Sequence, residues 1–519
     1  MAARAGDQAM ISEKVAPVLV AKTLGAFDLI VIFVGIVLFI TNSASLQFAG
    51  PALFTLWIIA FVTFLITGGF VTAQLGRMFP EEGSLYVWTH KVLGPFWGFF
   101  AGFVAWWPGP IVMVLAGTLV VTFAQQIAAF ADEEILTQSW EQGVVILAVV
   151  WIGAAVSLLR MRLTQNYVNL QFYFYAGAIF VMGLAGVVWL LKGNPSATAF
   201  TAELYNPVSA ANDSTFGTTN VLGLGVPALF TAYSFCVLAL LGIEVPLNMG
   251  VEVSGGEDVI KKYLFWGCVI VIAAYLWTSF GNMVTLTSDV SNPTTGGAQA
   301  VGAAIGEWLG VIVALILLWF FLTSSAVYNY SFARLLFVSG LEKRLPHQIG
   351  KVNRNKVPAN AVILQTILAS ILTIVVFIGK LAGDDPNKPY LALLAGVTIV
   401  WCISTALLFL DTFFARRANP TRFEEARRVP VWFLYLCGVV GTLANIAAVL
   451  FIFVGQWNAD LFPTLAEWNT WMIWITALSV ITGVLIYAIS QRTRRGKTDE
   501  ELIELGEAEQ EIREDLPTA

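Results

Sequence analysis

Twelve apolar stretches, most of them about 20 residues or longer, divide this chain. They run near 26–47, 52–76, 95–125, 143–159, 168–191, 222–253, 262–285, 309–335, 359–380, 390–414, 431–454 and 470–490. Inside a bilayer every backbone N–H and C=O needs a partner within the protein, so segments of this length are confined to helix. Of the 519 residues, 58% are hydrophobic and 12% charged, which excludes a soluble domain. The sequence therefore predicts an all-α integral membrane protein with twelve transmembrane helices.

Charge sets the expected orientation. With the connecting segments assigned alternately to the two sides, all but Lys192, Lys380 and Lys388 of the 28 lysines and arginines fall on the side that carries both termini. The positive-inside rule makes that side cytoplasmic, which implies a multi-pass protein of the plasma (inner) membrane. The formal charge of −6 is a property of one segment: residues 496–519 hold nine acids and two bases, and the rest of the chain is close to neutral. No nucleic-acid partner is implied. The four cysteines all lie in apolar stretches and read as packing residues. His90 and His347, the two histidines, stand in polar connections, so no metal site, cofactor or enzyme chemistry is expected.

The sixth stretch carries the most informative local pattern, Gly242-Ile243-Glu244-Val245-Pro246. A carboxylate at mid-membrane costs about 2.5–3.5 kcal/mol on insertion scales and marks a cavity or binding site by default. Pro246 has no N–H, which is expected to break the helix and free the carbonyl of Gly242. In the first stretch the polar run Thr41-Asn42-Ser43-Ala44-Ser45 occupies the corresponding place. Interrupted spans at matching positions of two halves point to an inverted-repeat transporter and its substrate site. On this reading residues 1–25 form a cytoplasmic N-terminus. Residues 26–415 form a core of two five-helix repeats, about 26–191 and 222–415. A linker follows at 416–430, then two added helices within 431–490 and an acidic tail at 491–519.

Several motifs resemble one family. Gln74-Leu-Gly-Arg-Met-Phe-Pro-Glu-Glu-Gly-Ser-Leu-Tyr-Val-Trp88 and Leu93-Gly-Pro-Phe-Trp-Gly-Phe-Phe-Ala-Gly102 are similar to the second-to-third-span signature of amino acid–polyamine–organocation (APC) transporters. Leu241-Gly-Ile-Glu244 and Gly250-Val-Glu-Val253 resemble that family's sixth-span motifs. Ala333-Arg-Leu-Leu336, Arg344-Leu-Pro346, Lys351-Val-Asn353 and Val357-Pro-Ala-Asn360 resemble its eighth-to-ninth-span linker. The resemblance implies a LeuT-like 5+5 inverted repeat, alternating access, and an amino acid or amine as cargo. Two departures stand out. Phe39-Ile40-Thr41 replaces the glycine-rich triplet of the family's first-span break, so either the break shifts toward Thr41–Ser43 or the pocket reads something other than an α-amino acid carboxylate. The fifth span has Asn169-Leu-Gln-Phe-Tyr173 where some proton-coupled members carry lysine.

The expected substrate site takes its carboxylate contacts from Thr41, Asn42, Ser43 and Ala44 and its amine contacts from Leu240, Leu241 and Gly242, with Glu244 close behind. Trp107, beside Trp106 and Pro108, is expected to offer an aromatic wall, and Tyr328, next to Asn329, to face substrate. Phe235 and Leu238 are expected on the sixth-span wall, more as packing than as contacts. For coupling, Glu244 is the expected proton carrier; Thr323 and Ser324 lie about where sodium-coupled relatives place hydroxyl ligands. Glu244 also has a purely structural reading, as a carboxylate tied to the broken backbone. Arg334, Lys343 and Arg344 read as a positive-inside charge run or as gate contacts to Glu81, Glu82 or Glu252, and the acidic tail as a possible plug of the cytoplasmic mouth. The function expected is secondary active transport of an amino acid, by symport or exchange. The alternatives are a polyamine or simple-amine carrier of the same fold, and a non-transporting sensor or accessory subunit.

Overall fold

The computed structural model describes residues 10–207, 218–221, 224–227, 230–286, 293–379, 387–458 and 460–494. The acidic tail lies outside these from residue 495 on. In chain order the helices are α1 (Ile11–Leu19), α2 (Ala26–Val37), α3 (Thr41–Ser45), α4 (Ala52–Met78), α5 (Ser84–Leu93), α6 (Pro95–Ala129), α7 (Ser139–Ser157) and α8 (Met161–Leu191). They continue as α9 (Thr231–Leu238), α10 (Glu257–Thr285), α11 (Gly296–Ala304), α12 (Glu307–Leu341), α13 (Ala359–Ile378) and α14 (Asn387–Ala418). The last three are α15 (Pro420–Ala426), α16 (Val431–Val454) and α17 (Leu465–Arg494).

Among the described residues, 11 helical segments are long and apolar enough to cross a membrane, α2 and α3 counting together as one. The sixth apolar stretch is absent from that set: among its described residues the helix is interrupted, as its Gly-Glu-Pro pattern led one to expect. A small antiparallel hairpin, Thr218–Val221 with Leu224–Pro227, occupies its start. Helix α9 then runs for eight residues, and a 3₁₀ turn over Val245–Glu252 completes the segment. Apolar composition cannot distinguish a continuous helix from a short helix and a 3₁₀ turn, both of which are largely buried in protein.

Side-chain distribution follows from the lipid environment. Phe180, Leu191, Phe265 and Leu478 point outward from their helices, and Trp308 and Trp432 stand exposed near helix ends, as expected of an aromatic belt. The inner helix is α12, buried along its second half and packed most extensively against α6. Helix α6 is divided at Trp107 into Pro95–Trp106 and Pro108–Ala129. Pro108 sits at the first position of a helical segment, where its missing N–H costs least.

One face of the bundle is sealed by charged side chains. Arg334 of α12 is fully buried, with Nη2 2.7 Å from Glu252 and Nε 3.7 Å from Glu82. Glu82 also accepts the Val251 N–H at 3.1 Å. Thr23 and Leu24 donate to the Glu252 carbonyl, Ser254 donates back to that of Leu24, and Gly83 donates to that of Asn248. The chain around residue 24 and the loop 80–84 are thereby tied to the end of the sixth segment. Helix α1 lies on the same face, where Ser12 N–H donates to Glu342 and Glu13 pairs with Lys91 at 2.5 Å. Arg334 thus pairs with Glu82 and Glu252, two of the three acids named for it, whereas Arg344 lies over the Tyr487 ring. In the seal, burial and the neighbouring Glu252 push the Glu82 carboxyl well above its ordinary range.

Candidate functional site

Two interruptions meet at the centre of the bundle. The first lies at Leu38–Ile40, between α2 and α3. The break therefore stays on the residues that replace the glycine triplet instead of shifting to Thr41–Ser43. Ile40 is fully buried and Phe39 packs against Phe320, Phe321 and Tyr328 of α12. A bulky pair is tolerated here because an aromatic cluster, not open backbone, receives it.

The second interruption runs from Ala239 to Glu244. Gly242 has φ +104, a conformation that a side chain would strain, and an added Cβ would meet Ile36 Cγ2 at 2.6 Å. The expectation of a free Gly242 carbonyl is corrected: it accepts the Val245 N–H at 3.1 Å. The segment tightens into i→i+3 turns, and Pro246 sits within the first turn of that 3₁₀ segment.

Three tyrosine hydroxyls reach the last carbonyls of α2, which are buried; that of Val37 also accepts the Phe39 N–H at 3.2 Å. Tyr328 of α12 donates to the Ile36 carbonyl at 2.7 Å, Tyr275 of α10 lies 3.1 Å from that of Val37, and Tyr175 of α8 donates to that of Leu38 at 2.6 Å. Tyr275 also lies 3.3 Å from the Phe39 carbonyl and 3.2 Å from the Ala239 carbonyl. One hydroxyl therefore spans both breaks. Carbonyl groups left without such a donor in a dry interior would cost about 1–3 kcal/mol each. The amides of the first break are occupied too: Ile40 N–H meets Tyr175 Oη at 3.2 Å, while Asn42 and Ser43 donate to the carbonyls of Phe39 and Ile40.

Between the breaks lies a cavity of about 30 Å³, room for a water or two but not for an amino acid. Asn42, Leu241 and Tyr328 line it, as do Leu238 and Trp401; no charged side chain does. Thr41, Ser43 and Ala44 are buried on α3, and Leu240, Gly242 and Glu244 on the second break, adjacent to the cavity lining. Glu244 is 2% exposed and accepts one long hydrogen bond, 3.4 Å from Trp401 Nε1. Its other oxygen has no partner, and the carboxylate makes no ion pair among the described residues. Trp107 is not brought to the cavity; it packs against Phe103 and Trp106. Thr323 and Ser324 line a separate space of about 10 Å³ between α2, α8 and α12. There Thr323 donates to the Tyr167 hydroxyl at 3.0 Å, while Ser324 Oγ and Gln171 Nε2 lack partners.

Sequence reasoning did not reach Tyr175, Tyr275 or Trp401, whose roles arise only from contacts across the bundle. It also passed over Asp411 on α14, which is fully buried and accepts a 2.7 Å bond from Thr89 Oγ1. The signal for Asp411 was present, since an acid in an apolar run is the same flag that marks Glu244.

A helical bundle with, among its described residues, eleven helices of membrane-crossing length and a central pair of interrupted helices defines a multi-pass membrane protein. The family profile described as "Amino acid permease" matches residues 24–493, and the chain belongs to that family, within the APC superfamily. Among the relatives, the aromatic amino acid transport protein AroP of Escherichia coli K12 is 25% identical over 81% of this chain and 86% of its own length. The probable agmatine/putrescine antiporter AguD of Lactococcus lactis is 23% identical over 55% of this chain, which spans 57% of that relative. The polyamine transporter RMV1 of Arabidopsis thaliana is 25% identical over 51% of this chain and 49% of its own length.

Proposed function

We propose that this permease is a secondary active transporter of a neutral amino acid with an apolar or aromatic side chain. It would work by alternating access in a LeuT-like 5+5 architecture, with the broken sixth segment as the twelfth membrane crossing and the basic face in the cytoplasm. The observation that carries the substrate class is the lining of the cavity between the two breaks, which is apolar and aromatic, with Asn42 as its carboxamide and no charged side chain. A polyamine carries cationic groups at separated positions, and each needs a carboxylate or an array of carbonyls. The near full-length likeness to an aromatic amino acid transport protein supports the same class.

In the proposed pose the ammonium group replaces tyrosine hydroxyls at the carbonyls of Ile36, Val37 and Ala239. The carboxylate takes the Asn42 side chain and the Thr41–Ala44 turn, and the side chain enters the space beside Leu241 and Trp401. The cavity has to widen to admit it, which fits a sealed, substrate-free state. Glu244 is the proposed proton carrier: an ionised carboxylate buried without a cation costs several kcal/mol, so its charge state is linked to opening of the break. Sodium held at Thr323 and Ser324 is the second coupling reading, favoured by the unpartnered Ser324 hydroxyl.

The test is uptake of a labelled panel of amino acids and polyamines by the purified protein in liposomes, under a proton gradient, a sodium gradient, or an internal exchange partner. Accumulation of apolar or aromatic amino acids is expected. Amines that outcompete their parent amino acids would replace the substrate class, and binding without flux would move the protein to a sensor or subunit role.

A further inference from the structure

A second, larger space opens on the outside of the bundle. It is a groove of about 650 Å³ between α4, α10 and the start of α16, within the range of ligand cavities. Its length has two chemistries. Toward the membrane interior Ile66, Gly69 and Phe70 of α4 face Leu264 and Val269 of α10, with Leu434 of α16 closing one end. At the basic face of the protein Arg77, Lys261 and Arg428 reach the mouth, accompanied by Glu257 and Asp258.

The charges at the mouth are not balanced. Arg428 is paired with Glu257 at 2.9 Å. Arg77 donates to the Ala426 carbonyl at 3.3 Å and makes no carboxylate pair within 4 Å among the described residues, although both Arg428 and Glu257 act on it; in all the mouth holds three cations against two acids. Lys261 is exposed. An apolar channel parallel to the helices, ending in a net positive mouth, complements an anionic amphiphile. Basic pockets of this kind between membrane helices bind lipid headgroups.

We propose that this groove is a binding site for an anionic phospholipid of the leaflet on the basic side, its phosphate between Arg77 and Lys261 and an acyl chain along Gly69 and Val269. The site also touches the machinery. A Cβ on Gly69 would lie 3.5 Å from Ile243 Cδ1 and 3.9 Å from Cys268 Sγ, so one helix wall separates a bound acyl chain from the residue preceding Glu244. Lipid in the groove therefore stiffens the second break and slows its opening; this consequence, unlike the binding itself, rests on the transport reading.

The experiment is native mass spectrometry of the protein released from membranes of equal phosphatidylglycerol and phosphatidylcholine, with uptake measured in parallel. Wild type is expected to retain phosphatidylglycerol preferentially. Arg77→Gln and Lys261→Gln should each lower that preference about fivefold. Ala73→Trp, which fills the groove, should lose both lipids, and Lys262→Gln, on an exposed lysine outside the groove, should behave as wild type. If Ala73→Trp fails to fold, the two charge variants decide alone. Equal retention of both lipids by wild type, or retention unmoved by the charge variants, would overturn the proposal. So would efficient Phe265→Cys cross-linking between protomers, which would assign the groove to a second copy. Lipid retention without any transport would leave the site standing and remove the transport reading.

Discussion

Replacing Tyr328 with Phe should tighten substrate binding. The hydroxyl donates to the Ile36 carbonyl at 2.7 Å, and Tyr328 and Ile36 both line the central cavity. Phenylalanine keeps the ring and its contacts with Phe332 and Trp401. What is lost is one neutral hydrogen bond, leaving a buried carbonyl unsatisfied, at a cost of about 1–2 kcal/mol. That cost falls on the substrate-free state alone if the substrate ammonium takes over the same carbonyl. Affinity for the transported amino acid should then rise about 5- to 30-fold. Titration calorimetry measures the change, and thermal melts with and without substrate locate it: the free protein should melt lower, the complex near wild type. Weaker binding, with melts lowered equally in both states, would show that the hydroxyl is a structural strut and would refute the placeholder argument.

Glu244→Gln should flatten the pH dependence of uptake while leaving the fold intact, because the glutamine carbonyl keeps the contact with Trp401 Nε1 but the carboxamide does not titrate; an unchanged pH–uptake curve would remove Glu244 from coupling. Gly242→Ala should destabilise the protein by about 1–3 kcal/mol through strain at φ +104, before any clash with Ile36 and Trp401 is added, and an unaltered melting temperature would contradict that. The seal should close more firmly in acid. Glu82 is held well above its ordinary range when sealed against Glu252 and Arg334 and returns toward 4.5 when hydrated, so its contribution is full below that ordinary value and is lost as pH rises through the sealed-state value. Hydrogen exchange over residues 79–84, corrected for intrinsic rates, should slow as pH falls through that window and lose its pH dependence in Glu82→Gln; a flat wild-type profile would count against it.

The helices were legible because hydrocarbon permits little else: a run of about 20 apolar residues fixes both conformation and location. Glu244 was legible for the same reason, as a costly residue in that run. The interruption of the sixth segment was legible from Gly242 and Pro246, but how the pieces on either side fold was not, because hydropathy alone does not distinguish a long helix from a short helix followed by a 3₁₀ turn. Phe39-Ile40 looked incompatible with a break until the aromatic cluster of α12, some 280 residues away in sequence, was seen to receive it. Tyr328 was named from the sequence, but the backbone contact it makes and its two partner tyrosines were hidden likewise. Tyr175, Tyr275 and Tyr328 are ordinary in composition, and only the crossing of α8, α10 and α12 over residues 36–38 brings their hydroxyls to three successive carbonyls. Arg334 was flagged by charge, but its fully buried pairing with Glu82 and Glu252 depends on folding the loop after α4 and the end of the sixth segment against α12.

The most direct measurement is a substrate-bound structure of the protein in a lipid nanodisc with the amino acid it accumulates. The account predicts density for the ammonium group at hydrogen-bond distance from the Ile36 and Val37 carbonyls, the Tyr328 hydroxyl displaced, and the side chain against Leu241 and Trp401. Substrate bound elsewhere, with all three tyrosine hydroxyls still on their carbonyls, would contradict it.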